Sequence, residues 1–342
     1  MNPVAGIFLI ALGSIGAASF YVPFKKVKSW AWESYWISQG VAAWLIAPWL
    51  FAFIFVPSGE LIPVIHEAPS SAKLMSMFFG ILWGFGGLTF GLCLRYLGVA
   101  LGQSIALGLC AAFGTLIPPV IAGDNLFGST AGILTIIGVS LTIAGIIIIG
   151  YAGSLKSKEM TEEAKKAAVK EFALKKGLLI AIFAGIMSAC FNFGYEAGKP
   201  IENIALAHGT NPLFQKNPTL IFILLGGFIT NFVYCVFLNI KNKTYKDYIS
   251  VSGSVFWNNI FFTFLAGFLW FLQFHFFGMG SSKLPEGMSV FAWSILMALN
   301  IAISNIWGLF LNEWKGAKRK TIVILLIGIV VLILSTFVVK LG

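Results

Sequence analysis

Residues 153–176, GSLKSKEMTEEAKKAAVKEFALKK, form the one polar run of any length in this chain of 342 residues. On either side stands a procession of apolar segments, each about long enough to cross a bilayer as a helix. Five precede the run, at about 4–23, 33–56, 73–95, 97–122 and 131–152. Five follow it, at about 177–198, 217–238, 255–278, 287–311 and 321–340. Five is odd, so the second set enters the membrane with the opposite orientation to the first. The predicted fold is therefore all-α and integral to the membrane: ten transmembrane helices as two five-helix inverted repeats, the internal symmetry many secondary transporters use. Its parts are a first five-helix half (1–152), a cytoplasmic linker (153–176) and a second five-helix half (177–342).

Composition excludes a soluble domain. Hydrophobic residues are 58% of the chain and charged ones 11%, against about 25% charged in soluble proteins. The net charge of +10 does not mark a nucleic-acid binder, because no basic patch sits among exposed aromatics. The Lys and Arg residues gather in loops instead. Those after spans 1, 3, 5, 7 and 9 hold 18 of them, and the opposite side holds 5. Positive loops stay cytoplasmic, so both termini are predicted to be periplasmic. The first span is read as a helix and not a signal peptide, since its lysines (Lys25, Lys26, Lys28) follow the apolar run and none precedes it. In lipid only a helix satisfies its own backbone, so even the β-branched run Ile146–Ile149 is expected to be helical. The linker has helix-favouring composition, with Glu162 and Lys166 spaced as an i, i+4 ion pair.

Chemistry-bearing motifs are scarce. Cys93, Cys110, Cys190 and Cys235 all fall within apolar segments without a C-x-x-C pair, and read as small buried hydrophobes. His66, His208 and His275 have no metal-site spacing, and there is no phosphate-binding loop. No metal and no cofactor is expected, and no cluster of Asp, Glu, His or Ser supports a membrane enzyme.

Span 3 is dense in glycine. The Gly80–Gly84 and Gly87–Gly91 spacings predict close approach of another helix. Span 4 carries Gly114 and then Pro118-Pro119, which must kink or break it near its outer end. Gly80-Ile-Leu-Trp83 in span 3 recurs as Gly267-Phe-Leu-Trp270 in span 8, the third span of each half.

The segment Phe20-Tyr-Val-Pro-Phe-Lys-Lys-Val-Lys-Ser-Trp-Ala-Trp-Glu33 resembles the signature of the L-rhamnose–proton symporter family, within the drug/metabolite transporter superfamily. The likeness continues through Arg95-Tyr-Leu-Gly98, Gly114-Thr-Leu116, Leu174-Lys-Lys-Gly177, Lys199-Pro200, Leu269-Trp-Phe-Leu-Gln-Phe274 and Glu313-Trp314, and so covers nearly the whole chain. It implies a ten-helix carrier in the bacterial inner membrane that imports L-rhamnose or a related deoxy sugar, driven by the proton gradient. Glu196 and His275 depart from the uncharged residues the family leads one to expect there. The competing function on the same scaffold is export or exchange of another small metabolite or drug.

A proton-coupled carrier needs a titratable group, and a carboxylate kept inside a span costs about 2.5–3.5 kcal/mol. Glu33, at the mouth of span 2, is either an interfacial anion balancing Lys25, Lys26 and Lys28 or the coupling group. Glu196, i, i+3 from Lys199 where Pro200 ends span 6, is either a local ion pair or part of a pathway mouth; Asp124 lies in a loop. Sugar binding asks for amides and hydroxyls beside aromatic faces. Asn259, Thr263, Trp270 and Gln273 share a stripe of span 8, and Trp293, Asn300, Ser304 and Trp307 a stripe of span 9. Of these, Trp270, Gln273, Asn259, Asn300, Ser304 and Trp307 are the predicted substrate-binding residues, and Glu33 and Glu196 the predicted coupling residues. His275 falls on the far side of span 8 and is expected to pack against another helix.

Overall fold

A segment apolar on all sides, with no water to receive its backbone groups, closes them within itself. The computed structural model, which describes residues 2–123, 125–159, 174–285, 288–310 and 314–341, is accordingly helical, with no strand among those residues. Among the described residues, ten helical segments are long and apolar enough to cross a membrane: Pro3–Phe24, Trp32–Phe55, Ser70–Cys93, Ser104–Ala122, Thr130–Glu159, Lys175–Ala207, Pro212–Asn242, Gly253–Ser281, Ser289–Phe310 and Arg319–Thr336. They are numbered spans 1 to 10, and each coincides with one of the ten apolar segments. Large side chains such as Phe53, Ile121 and Trp257 stand exposed on their outer faces, where acyl chains would cover them.

Three details differ from the expected boundaries. Residues 153–159 do not begin the linker but prolong span 5 as helix. The Glu159 carboxylate explains the extension, since it accepts bonds from the Lys318 amide (2.7 Å) and the Thr321 hydroxyl (2.8 Å), capping the start of span 10. The remainder of the linker to residue 173, with Glu162 and Lys166, lies outside the described residues. Span 6 breaks at Gly198 and restarts, with Pro200 in the first turn of a short helix Lys199–Ala207, a position that suits a residue lacking an N–H. Spans 3 and 4 share one helical stretch, Ser70–Ala122, that folds back on itself. A Cβ on Gly102 would lie 3.1 Å from the Cys93 carbonyl oxygen, although nine residues of straight helix separate their ends by ~13 Å.

The chain divides into two compact units, and each takes helices from both sequence halves. One comprises Met1–Ser14, Phe85–Phe193 and Gly280–Gly342. Its core sets Ile146, Ile149 and Ala152 of span 5 against Ala298 and Ala302 of span 9 and Leu325, Ile329 and Leu332 of span 10. Thr142 joins the three through hydroxyl contacts to Ser335 (3.0 Å) and Ser294 (3.2 Å). The predicted disturbance of span 4 is visible here. Pro118 has no N–H for the Gly114 carbonyl four residues earlier, and the Asn192 amide donates to that carbonyl at 2.7 Å instead.

The other unit comprises Ile15–Gly84 and Gly194–Met279. Span 3 packs on span 7 through glycine: a Cβ on Gly80 would collide with the Ile223 carbonyl, and one on Gly84 would stand 2.7 Å from Thr230. Gly87 and Gly91 do not serve this purpose, because a Cβ on either would meet nothing. Span 8 packs on span 2 in the matching way, with a Cβ on Gly267 placed 2.7 Å from the Gln39 carbonyl oxygen. A second cluster (Ala52, Val56, Leu61, Val64, Ile201, Ala205, Ile221) closes the end of this unit away from Lys241–Lys246.

Candidate functional site

The unit Ile15–Gly84 plus Gly194–Met279 carries the densest chemistry, and its centre is set by a proline. Pro48 cannot donate to the Trp44 carbonyl, and span 2 widens just before it into a π-helical turn, Val41–Ile46. Such a turn inside an α-helix is common at functional sites. Gly40 leaves room for the Trp44 ring, which lies 2.7 Å from where a Cβ on Gly40 would be. Trp44 then meets Trp270 edge-on at 5.7 Å and Trp83 at 6.1 Å, while Trp83 and Trp270 are 5.7 Å apart. The two Gly-x-x-Trp fragments thus deliver their indoles to one cluster, with Trp36 joining at 6.0 Å from Trp44.

Polar groups around this cluster are paired, with two exceptions. Trp36 donates its indole N–H to Asn231 (3.1 Å), Ser38 bonds Thr263 (2.6 Å), and the Gln273 amide donates to the Trp270 carbonyl (3.0 Å). The exceptions are the Gln39 side-chain amide, whose nitrogen and oxygen are both buried without a partner, and the Trp44 indole N–H. Neither was singled out by sequence, since Gln39 is a lone amide between apolar stretches.

The predicted binding residues are distributed as follows. Trp270 and Gln273 stand at the tryptophan cluster. Asn259, fully buried about three turns nearer the start of span 8 than Trp270, spends its amide on the chain around Lys28, accepting from the Lys28 N–H (2.9 Å) and donating to its carbonyl (2.7 Å). Asn300, Ser304 and Trp307 belong to span 9 in the other unit, where Asn300 and Trp307 are half-buried and Ser304 is exposed. Trp293 of the same span is buried and donates to the Cys110 carbonyl at 3.2 Å. His275 is packed between helices, with Nδ1 3.1 Å from the Asn217 oxygen and the ring stacked on Phe214.

Glu33 begins span 2 and is buried, accepting from the Asn242 amide (2.9 Å) and the Thr244 hydroxyl (2.8 Å). Beside it Asp247 accepts from the Ala31 N–H (2.7 Å) and the Ser34 hydroxyl (2.7 Å), and the Tyr248 hydroxyl donates to the Ser34 carbonyl (3.1 Å). Burial raises the Tyr248 phenol above its ordinary value. This network ties the start of span 2 to the loop after span 7. Glu33 is therefore held by neutral donors, and the lysines that precede it in sequence are not its partners among the described contacts.

At the opposite end Glu196 pairs with Lys199, both partly exposed. A deeper pair lies behind it. Glu202 is 5% exposed, and Lys216 Nζ approaches its two oxygens at 3.2 and 3.3 Å while lying 5.1 Å from the ring of buried Tyr195. In the adjoining loops His208 bridges Glu60 (Nδ1, 2.6 Å) and Glu67 (Nε2, 3.0 Å), and those bonds raise its pKa, Glu67 most. Asp124 lies outside the described residues. All four cysteines are buried and unbridged. No group of three or more His, Cys, Asp or Glu gathers as a metal site among the described residues.

Comparison with known proteins then gives the chain its relatives. The family described as L-rhamnose-proton symport protein (RhaT) matches residues 2–342. The L-rhamnose-proton symporter of Yersinia pestis (strain Pestoides F) is 38% identical over 344 residues, covering 99% of this chain and 98% of that protein. The L-rhamnose-proton symporters of Yersinia pseudotuberculosis serotype O:1b (strain IP 31758) and serotype O:3 (strain YPIII) match to the same extent. A match of this depth along the full length, on ten membrane-spanning helices, makes the chain a membrane transporter and not an enzyme: it belongs to the L-rhamnose-proton symport protein family.

Proposed function

We propose that this protein imports L-rhamnose together with a proton across the bacterial inner membrane. The observation that carries the reading is the 38% identity to L-rhamnose-proton symporters along 99% of the chain. Export or exchange of another metabolite finds no comparable support. The sugar is neutral, so the gradient must act through a protein group, and no cofactor enters the cycle. Both termini are read as periplasmic from the 18-to-5 bias of Lys and Arg, which makes the Glu33 network the cytoplasmic end.

The scaffold is read as two inverted five-helix repeats of the drug/metabolite transporter type. What supports this is the reciprocal packing of the repeated fragment: Gly80 of span 3 against span 7, Gly267 of span 8 against span 2. The third span of each half rests on the second span of the other.

Trp270 and Gln273 are assigned to sugar binding, the indole covering the apolar face of a methylpentose and the amide meeting a hydroxyl. Asn259 serves this site by holding the Lys28 loop. Asn300, Ser304 and Trp307 are retained as candidates in the other unit. Glu33 is assigned to coupling, because protonation of a carboxylate held by Asn242 and Thr244 changes the bonds that close the cytoplasmic end. Glu196, in an exposed local pair, is the second candidate. Purified protein in liposomes should accumulate radiolabelled L-rhamnose when the lumen is more alkaline than the bath, and an ionophore that collapses the pH gradient should abolish the accumulation. Uptake indifferent to that gradient would reject proton symport.

A further inference from the structure

Among the described residues, Gln39 is the one side-chain amide whose buried nitrogen and oxygen both lack a partner. It is fully buried, and Trp44 is 3% exposed with its indole N–H also unpaired. Leaving such groups unbonded costs about 1–3 kcal/mol each, so a folded protein retains them where something else completes them. The omission is local. One residue before Gln39, Ser38 reaches Thr263 at 2.6 Å, and one turn before it Trp36 reaches Asn231 at 3.1 Å. Span 2 is able to pair its polar groups and does so in the turn before this point.

The π-helical turn turns the two orphans toward the same side of span 2. Residues five apart fall on different sides of an α-helix, about 140° round the axis. An i→i+5 turn returns them to one side, and the π-helical turn Val41–Ile46 lies between Gln39 and the end of span 2. Span 8 rests on this stretch, with Gly267 against the Gln39 carbonyl oxygen and Ala42, and Trp270 one turn later against Trp44. Three indoles thus meet at Trp44, five residues beyond Gln39 on the same span, and one amide and one N–H of this stretch are free to bond. A cyclic polyol fits that chemistry, since aromatic faces cover its C–H surface while an amide both donates to and accepts from neighbouring hydroxyls.

We propose that the Gln39 side-chain amide and the Trp44 indole N–H bind hydroxyl groups of the transported sugar, with Trp83 and Trp270 packing on its apolar face. The proposal rests on the sugar-transport reading above and adds the residues of span 2 that recognise the hydroxyls. Gln39 is the discriminating member. A sugar lacking the matching hydroxyl leaves the amide unpaired again, and rejection of such analogues is strong when the site is built to bond them.

The test is calorimetric titration of L-rhamnose into purified wild type, Gln39→Leu and Trp44→Phe, with the thermal midpoint of each recorded with and without sugar. Gln39→Leu should weaken binding about tenfold or more while the sugar-free midpoint stays level or rises, because an unpaired polar group has been replaced by an apolar one. Trp44→Phe keeps the ring and removes only the N–H, so a measurable loss of affinity with an unchanged sugar-free midpoint assigns the effect to that bond. Wild-type affinity in both variants overturns the proposal while leaving sugar transport intact. A sugar-free midpoint that falls in Gln39→Leu without loss of affinity assigns Gln39 to structure and also overturns it. No binding of L-rhamnose by the wild type would reject the transport reading itself, and the sugar assignment with it.

Discussion

Replacing one partner of the Glu202–Lys216 pair should harm the protein far more than replacing both. The side chains are 7% and 15% exposed, and Nζ stands 3.2 Å from the nearer carboxylate oxygen. At that separation and an effective dielectric near 20, the attraction is about 5 kcal/mol. Neither charge can recover its hydration if the other is removed, because Tyr195, 1% exposed, covers the ammonium. Breaking a buried pair from one side costs about 3–5 kcal/mol, whereas an apolar replacement of both partners is often neutral. Glu202→Leu and Lys216→Met are therefore each expected to lose about 3–5 kcal/mol, and the double variant to return to within about 1 kcal/mol of wild type. Unfolding in mild detergent, followed by tryptophan fluorescence against denaturant, measures all four corners of the cycle. A loss below about 1 kcal/mol in the single variants, the value of a solvated pair, would refute the reasoning. So would a double variant whose loss equals the sum of the two.

Glu33→Gln keeps an oxygen for Asn242 and Thr244 but removes the charge, so it should abolish accumulation of L-rhamnose against its gradient while sugar exchange at equal pH persists. Concentrative uptake at the wild-type level would move coupling elsewhere. The folded pKa of His208 lies above its unfolded value of about 6.5, so the clamp on Glu60 and Glu67 stabilises fully below that pH and fades as pH rises through the raised value. A thermal midpoint followed from about pH 5 to 9 should show this decline, and Glu60→Gln with Glu67→Gln should flatten it; an unchanged slope would dismiss the clamp. Reporter fusions after Ser157 and Lys243 should read cytoplasmic and those near Glu67 and Lys216 periplasmic, with the reverse pattern refuting the charge-bias orientation.

Ten spans were legible because each needs only its own residues: an apolar length of helix is a local property. The Gly80–Gly84 spacing was legible for a related reason, since small residues on one face permit close packing. Whether a neighbour comes is not local, and Gly87–Gly91, equally spaced, face open space. Glu202 and Lys216 are separated by fourteen residues, a helix end and a loop, so no periodicity joins them, and Lys216 counted only as one of five outer charges. Asn259 sits on the stripe assigned to sugar, yet its partner is the backbone at Lys28, 231 residues away in sequence. Gln39 and Trp44 were missed because their relation depends on a widened turn that Pro48 imposes. A proline at the ninth residue after a buried glycine-flanked glutamine is a signal only once that consequence is known.

The reciprocal seating of Gly80 on span 7 and Gly267 on span 2 bears on how the protein is assembled during synthesis. Spans 2 and 3 leave the ribosome long before spans 7 and 8, and each early helix presents a groove or a glycine notch that only a late helix fills. The first half must therefore wait in the bilayer with carbonyls and indoles uncovered, and lipid packs poorly into such notches. Severing the chain within 160–173 is expected to leave the two parts together, because Gly80 against span 7 and Gly267 against span 2 interlock them. Two fragments expressed together have the means to find one another, whereas either one alone is half of a clasp.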